Sequence, residues 1–331
     1  MSSSPAIDGV LVQWGERLFY PANRIVRPAP PPHLTPAIRQ KAAAIRARIG
    51  ATARRAPQVM VKVTGGGRGT AAIGAHLRYI SKDGRLEIED DRGVNRDGKE
   101  VVQDIVEQWR HGGSYIAEEG PRREAFNIML SMPQGTDPLA VQRAGREFAQ
   151  AELKDHRWVM VLHDHQANPH VHISVRAESR HGKRLNPRKA DLHRWRETFA
   201  EKLRGWGIDA EATRQATRGE LRSFEPLWRV RAREDGRVRL DPPKSRTGKK
   251  AELSRAYAVE AWANIIQGLL HSDVAGDRAL AEAANRYVRT TRYASLFVQR
   301  QAQRKEQERV RDRTRPEPAV TRTREDREIG R

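Results

Sequence analysis

From residue 58 onward, short apolar runs of strand length alternate with longer amphipathic stretches. Val59-Met-Val-Lys-Val63 is such a run and stops at Gly65-Gly-Gly67. In residues 71–82 the apolar positions Ile73, Leu77 and Ile80 recur at i, i+4 and i+7, one face of a helix, with Asp83-Gly84 as its stop. A second helix is predicted over 101–109. Phe126-Asn-Ile-Met-Leu130 reads as a buried strand closed by Ser131-Met-Pro-Gln-Gly135, and Asp137-Pro138 supplies a cap and first turn for a helix running to about residue 153. Two more strands, Trp158-Val-Met-Val-Leu162 and His170-Val-His-Ile-Ser-Val175, flank residues 164–169 as a hairpin. A helix over 190–206 ends at Gly207. Hairpin connections beside helical segments predict an α+β fold, a central, mainly antiparallel sheet flanked by helices, and not a doubly wound parallel one.

Outside residues 58–230 the pattern changes. The segment 1–57 is a Pro-, Ala- and Arg-rich N-terminal extension that opens with Val10-Leu-Val12. Its Pro28-Ala-Pro-Pro-Pro-His33 run favours a semi-rigid polyproline spacer. Residues 38–55 read as a basic helix, either lying on DNA or simply presenting a solvated face. Residues 231–250, with Pro242-Pro-Lys-Ser-Arg-Thr-Gly-Lys-Lys250, form a basic linker. Residues 251–300 are helical in pattern, with Trp262, Ile265, Ile266, Leu269 and Leu270 as an apolar stripe. Residues 301–331 lack aromatics and predict a charged, disordered tail.

The 331 residues carry 62 Lys and Arg against 42 Asp and Glu, a formal charge of +20. An excess this large points to a polyanion partner, in most cases nucleic acid. The absence of cysteine excludes disulfides, iron–sulfur clusters, thiolate zinc sites and a cysteine nucleophile. No window approaches a membrane span, and Met1-Ser-Ser-Ser-Pro5 lacks a secretory pattern, so a soluble, cytoplasmic protein is expected.

Five of the eleven histidines fall at 156, 163, 165, 170 and 172. Strand alternation puts His170, His172 and Ser174 on one face and Val171, Ile173 and Val175 on the other. His163 ends the preceding strand at the same turn. Three imidazoles from adjacent strands suit a divalent metal with an open coordination position. The bland alternative is a histidine-rich hairpin that binds nothing. Beside a polyanion-binding charge, such a metal suggests phosphodiester chemistry. Without cysteine the nucleophile is water, Ser or Tyr.

Three ordered motifs carry a family resemblance. Gly65-Gly-Gly-Arg-Gly-Thr70 followed by His76-Leu-Arg-Tyr-Ile-Ser-Lys-Asp-Gly-Arg-Leu-Glu87 resembles the first motif of conjugative relaxases and plasmid mobilisation nucleases. These belong to the HUH endonuclease superfamily, and the similarity is to the branch that includes the T-DNA border endonuclease. Asn127-Ile-Met-Leu-Ser-Met-Pro-Gln-Gly-Thr136 resembles the second motif, and His163-Asp-His-Gln-Ala-Asn-Pro-His-Val-His-Ile173 the third. Ile208-Asp-Ala-Glu-Ala-Thr-Arg-Gln-Ala-Thr-Arg-Gly219 is similar to the segment that closes the domain in relatives. The resemblance spans about 58–220 and implies a relaxase domain over 58–230.

What the resemblance implies is specific. Tyr79 is the nucleophile, attacking single-stranded DNA at an origin of transfer to leave a 5′-phosphotyrosyl link and a free 3′-hydroxyl. His163, His170 and His172 hold Mg²⁺ or Mn²⁺, and Ser131 contacts DNA near the nick. Partners are the single strand, relaxosome accessory proteins and a type IV secretion coupling protein, with export of the protein bound to DNA. The family usually has Asp where this chain has His165, so Asp164 or His165 is expected beside the metal as support or alternative ligand. Lys82, Arg85, Arg184 and Arg188 are further DNA-contact candidates. His76, one turn before Tyr79, could assist it, but a solvent-facing position is the stronger reading; Trp195, Trp206 and Trp228 could stack bases, but core packing is the stronger reading. Gly65–Gly67 reads equally as a phosphate-binding or a plain loop. Two rival functions remain at this level: a rolling-circle replication initiator, disfavoured because its tyrosine normally follows the histidines, and a non-enzymatic DNA-binding protein with a degenerate histidine site.

Overall fold

The computed structural model describes residues 7–20, 34–213, 217–219, 235–237 and 249–291, with the single positions 232 and 294. Trp228, the 28–33 proline run, most of the 231–250 linker and the 301–331 tail lie outside the described residues.

The central sheet has six strands, β1 (Met60–Gly65), β2 (Ile88–Asp90), β3 (Asn95–Arg96), β4 (Ala125–Ser131), β5 (His156–His163) and β6 (His170–Ser179), in the order β1-β4-β6-β5-β2-β3. Every pair is antiparallel. The α+β expectation holds. The small β2–β3 hairpin had no sequence signal, because three and two residues are too few to display a period and Glu89 and Asp90 break the apolar run.

Each sheet face has its own core. On one face Phe126, Ile128, Leu130, Trp158, Val171 and Ile173 pack beneath α5 (Pro138–Glu152) and α6 (Lys189–Gly205), through Phe148, Trp195, Phe199 and Leu203. On the other, Val159 and Val161 meet Ile73, Leu77 and Ile80 of α3 (Thr70–Ile80) and Ile105 and Trp109 of α4 (Lys99–His111). Asp137 caps α5 as expected, its carboxylate accepting from the Leu139 and Ala140 amides at 3.0 and 3.3 Å. The period of two in β6 therefore turns Val171, Ile173 and Val175 to the α5–α6 side and His170, His172 and Ser174 to the α3 side.

The two ends of the chain share a third core. Helices α1 (Ile7–Phe19) and α2 (Pro36–Ala53) pack with α7 (Lys249–Leu270) and α8 (Asp277–Arg289), burying Leu11, Phe19, Ile45, Ile49, Trp262, Ile265 and Leu269. The Arg46 guanidinium ties three of these helices together, donating to both carboxylate oxygens of Asp277 at 2.8 Å and to Asp8 at 2.7 Å. This bundle meets the sheet domain through an Arg48–Glu197 ion pair and through residues 217–218. There the Trp262 indole donates to the Thr217 carbonyl, the Tyr287 hydroxyl to the Arg218 carbonyl, and the Arg218 guanidinium to the Ala56 carbonyl.

Candidate active site

Antiparallel register decides which side chains meet. His163 pairs with His170 across β5–β6, and Ser131 of β4 pairs with His170 on its other side. His172, two residues along, points the same way. One ring nitrogen from each of His163, His170 and His172 lies within 4.8 Å of the other two. The ring centroids are 4.7 to 5.0 Å apart.

Backbone carbonyls orient two of the rings. His163 Nε2 lies 2.7 Å from the Ile80 carbonyl, and His170 Nδ1 lies 2.9 Å from that of Asn168. A carbonyl only accepts, so each of these nitrogens carries the proton, leaving His163 Nδ1 and His170 Nε2 with lone pairs. His163 Nδ1 and His172 Nδ1 are buried with no hydrogen-bond partner among the described residues. Burial pushes the His172 imidazole down to about 3, with repulsion from His163, His170 and His76 adding to it. His163 is lowered for the same first reason, against the favourable Ile80 contact, with His170, His165 and the Lys82 ammonium lowering it further. His163 and His172 are both held uncharged, each with a buried Nδ1 that has no partner among the described residues. They converge with His170 on one point, the donor set a divalent metal requires, and the residues fit the ion.

Tyr79 stands beside this cluster at the last turn of α3. Ile73, Leu77 and Ile80 are buried while Tyr79 is 75% exposed, as the helical stripe predicts. The Ile80 carbonyl that orients His163 belongs to the residue after Tyr79, so the helix end and the triad are mechanically joined. Local chemistry fixes that helix end. The Ser81 hydroxyl, fully buried, donates to the Leu77 carbonyl at 2.8 Å and accepts from the Gly84 amide at 3.0 Å. Lys82, Asp83 and Gly84 all take left-handed backbone conformations (φ +51°, +58° and +80°). A Cβ on Gly84 would overlap the Gly98 carbonyl. The Tyr-Ile-Ser-Lys-Asp-Gly string is therefore a helix stop that aims Tyr79 outward and the Ile80 carbonyl inward.

The remaining candidates divide. Ser131 is buried next to His170, and Lys82 is half-buried within electrostatic reach of His163. Arg85 is exposed one turn beyond, its guanidinium donating to the Lys82 carbonyl at 2.9 Å. Asp164 and His165 are exposed at the hairpin tip, with the His165 ring centroid 5.2 Å from that of His163, while backbone carbonyls contact His163 and His170. Arg184 is paired to Glu124 at 3.1 Å and bridges to Glu178, about 26 Å along β6 from His170 at ~3.3 Å per residue. Arg188 stands at the start of α6, the helix on the face opposite the triad.

Two expectations are corrected. His76 is half-buried, not solvent-facing: its ring lies 6.4 Å from that of His172 and 6.5 Å from that of Tyr79, and its Nε2 is buried without a partner among the described residues. Burial lowers its pKa. Its spacing of three before Tyr79 was the available signal. Trp206 is 42% exposed, under the Arg143 guanidinium, whereas Trp195 is core as expected. The Gly66 and Gly69 positions admit no Cβ because the Ala125 and Glu118 carbonyls pass too close, so close backbone approach accounts for these glycines without a phosphate.

Residues 79–208 match the family model described as Relaxase: MobA/VirD2-like, nuclease domain, which supports a relaxase or mobilisation nuclease family. The matched segment begins at Tyr79 and contains the whole histidine cluster. No curated protein matches the chain.

Proposed function

We propose that this relaxase-type domain nicks one strand of DNA by transesterification, with Tyr79 as nucleophile and His163, His170 and His172 as metal ligands. The Tyr79 phenol gives up its proton to solvent as its oxygen attacks phosphorus, the bond from phosphorus to O3′ breaks, and the departing 3′ oxygen takes a proton from solvent, leaving a 5′-phosphotyrosyl link. The link conserves a phosphodiester, so the reverse reaction rejoins strands. Mg²⁺ or Mn²⁺ held by the three imidazoles would draw charge from a non-bridging oxygen of the scissile phosphate. Lys82 adds fixed positive charge at the same end of α3, and Ser131, beside His170, is positioned to hydrogen-bond the backbone of the strand. On this reading the protein acts in the cytoplasm on an origin of transfer and hands its DNA adduct to a type IV secretion coupling protein.

The observation that carries the reading is an exposed tyrosine at the end of α3 beside three converging histidines of β5 and β6, linked by the Ile80 carbonyl. The test incubates purified protein with a library of single-stranded oligonucleotides and Mn²⁺, trapping covalent adducts on a denaturing gel. An adduct is expected that disappears in Tyr79→Phe and with chelator. An adduct that survives in Tyr79→Phe refutes the assignment of the nucleophile.

A further inference from the structure

Charge is not where the chemistry is. Between residues 58 and 213, which hold the sheet and the triad, 25 Lys and Arg face 23 Asp and Glu, a net charge of only +2. The flanks, 1–57 and 214–331, contain 37 Lys and Arg against 19 Asp and Glu and so account for +18 of the +20. The described parts of those flanks carry 15 Lys and Arg against 8 Asp and Glu, a net +7, and most of them fold together as the helical bundle.

On that bundle the ends of α2 and α8 border an open cleft of about 440 Å³. Gly50, Ala53 and Ala283 leave it open, and Arg54, Arg55 and Arg286 line it with no carboxylate among the lining residues. Arg54 makes one exposed pair with Asp209 at 3.3 Å, the kind of contact that contributes little and exchanges easily. Arg55 donates to the Thr290 hydroxyl at 2.8 Å and lies over the Tyr287 ring at 5.7 Å. Both helices end here, and the partial negative charges of two C-termini, about −0.5 each, offset only part of three guanidinium charges.

We infer that this cleft binds the phosphate backbone of double-stranded DNA, separately from the active site. The inference takes the identity of the polyanion from the relaxase reading. What favours a duplex over a single strand is the absence of a stacking surface among the described residues of the cleft. Unpaired bases are gripped by exposed aromatic faces, but Tyr287, the one aromatic lining the cleft, is buried, covered by Arg55, and its hydroxyl is spent on the Arg218 carbonyl. The exposed aromatics among the described residues, Tyr79, Tyr115 and Trp206, all lie on the nearly neutral sheet domain. Charge without stacking is the chemistry of sequence-independent backbone contact. The bundle thus holds the duplex beside the origin while the sheet domain handles the single strand.

The test compares the full chain with Arg54→Gln/Arg286→Gln, with the charge-keeping Arg54→Lys/Arg286→Lys, and with a control, Arg92→Gln/Lys154→Gln, that removes two exposed charges from the sheet domain. Fluorescence anisotropy on a labelled 30-base-pair duplex and a 30-nucleotide strand is read across a salt series. At about 0.9 per neutralised phosphate, the glutamine pair should lower the duplex log–log salt slope by about 1.8, and its duplex affinity should fall roughly tenfold or more. The lysine pair and the control should keep the parental slope, and binding and adduct formation on single strands should stay within twofold of parent in the glutamine pair. An unchanged duplex slope, an equal fall in the control, or an equal loss on single strands overturns the inference. If the parent forms no adduct yet the glutamine pair still loses duplex binding selectively, the nicking reading fails and the cleft stands.

Discussion

Replacing His172 by Gln tests whether burial keeps this imidazole neutral. The imidazole has an ordinary value of 6.5 and is pushed down to about 3 in the folded protein, chiefly by desolvation. Between those values the unfolded chain binds a proton that the folded chain refuses, so unfolding takes up protons and stability falls as pH drops below 6.5. At pH 5.0, 1.5 units below the unfolded value, the loss is about 2 kcal/mol at ~1.36 kcal/mol per unit. This figure needs only a folded pKa well under 5. Urea denaturation of the full chain with chelator at pH 7.5 and pH 5.0, for parent and His172→Gln, isolates the contribution, since every other titrating group appears in both proteins. The parent should lose about 2 kcal/mol more than the variant across that interval. Equal losses would refute the claim that His172 is held neutral. Saturating Mn²⁺ at pH 7.5 should raise the denaturation midpoint of the parent and leave that of the variant nearly unmoved, because a metal bound only by the folded state stabilises it by mass action.

Other outcomes follow from particular contacts. Gly84→Ala combines left-handed strain of about 1 kcal/mol with an overlap on the Gly98 carbonyl worth ~1–3 kcal/mol, so denaturant midpoints should register a loss of roughly 2–4 kcal/mol. Adduct yield should fall with it, as the turn aims Tyr79. Arg46→Met leaves Asp277, 3% exposed, without its main partner and should cost about 3–5 kcal/mol of stability, most of it recovered when Asp277→Asn is added. In the parent, burial acts to raise the Asp277 carboxyl but Arg46 and Ser272 hold it below its ordinary value. Its stabilising contribution is therefore complete above the unfolded value of 3.8 and is lost as pH falls through the lower folded one, which acid titrations of the parent and Asp277→Asn will separate.

Much of the fold was legible because its strands and helices have clean periods. The 125–131, 156–163 and 170–179 strands and the helix carrying Tyr79 appear within a few residues of where apolar spacing put them. His-x-His on a strand guarantees a shared face, and the Ile73–Leu77–Ile80 stripe guarantees that Tyr79 lies off it. Spacing and motif together therefore nominate Tyr79 and the three histidines, and the strand register brings those three rings together. Net charge misled as to place: a total of +20 announces a polyanion, but a sum carries no position, and only counting by folded unit moves the excess to the chain ends.

Alone, the sequence determined what depends on local spacing: the α+β class, the faces of β6 and α3, the Asp137 cap, and the residue types able to ligate a metal or attack phosphorus. Tertiary structure decided what depends on contacts between distant segments. It set the β1-β4-β6-β5 order that brings Ser131 beside His170. It supplied the Ile80 carbonyl, 83 residues from His163, that fixes a tautomer no motif could specify. It set the half-buried His76 ring 6.4 Å from that of His172, a neighbour that a place at the edge of the Ile73–Leu77–Ile80 stripe could not name. It also joined the 7–19 and 36–53 helices to those at 249–270 and 277–289 through Arg46, creating a basic cleft whose walls are more than 200 residues apart. Local periodicity carries no information about which faces meet; that choice is made by the burial of apolar surface and the pairing of charges across the whole chain.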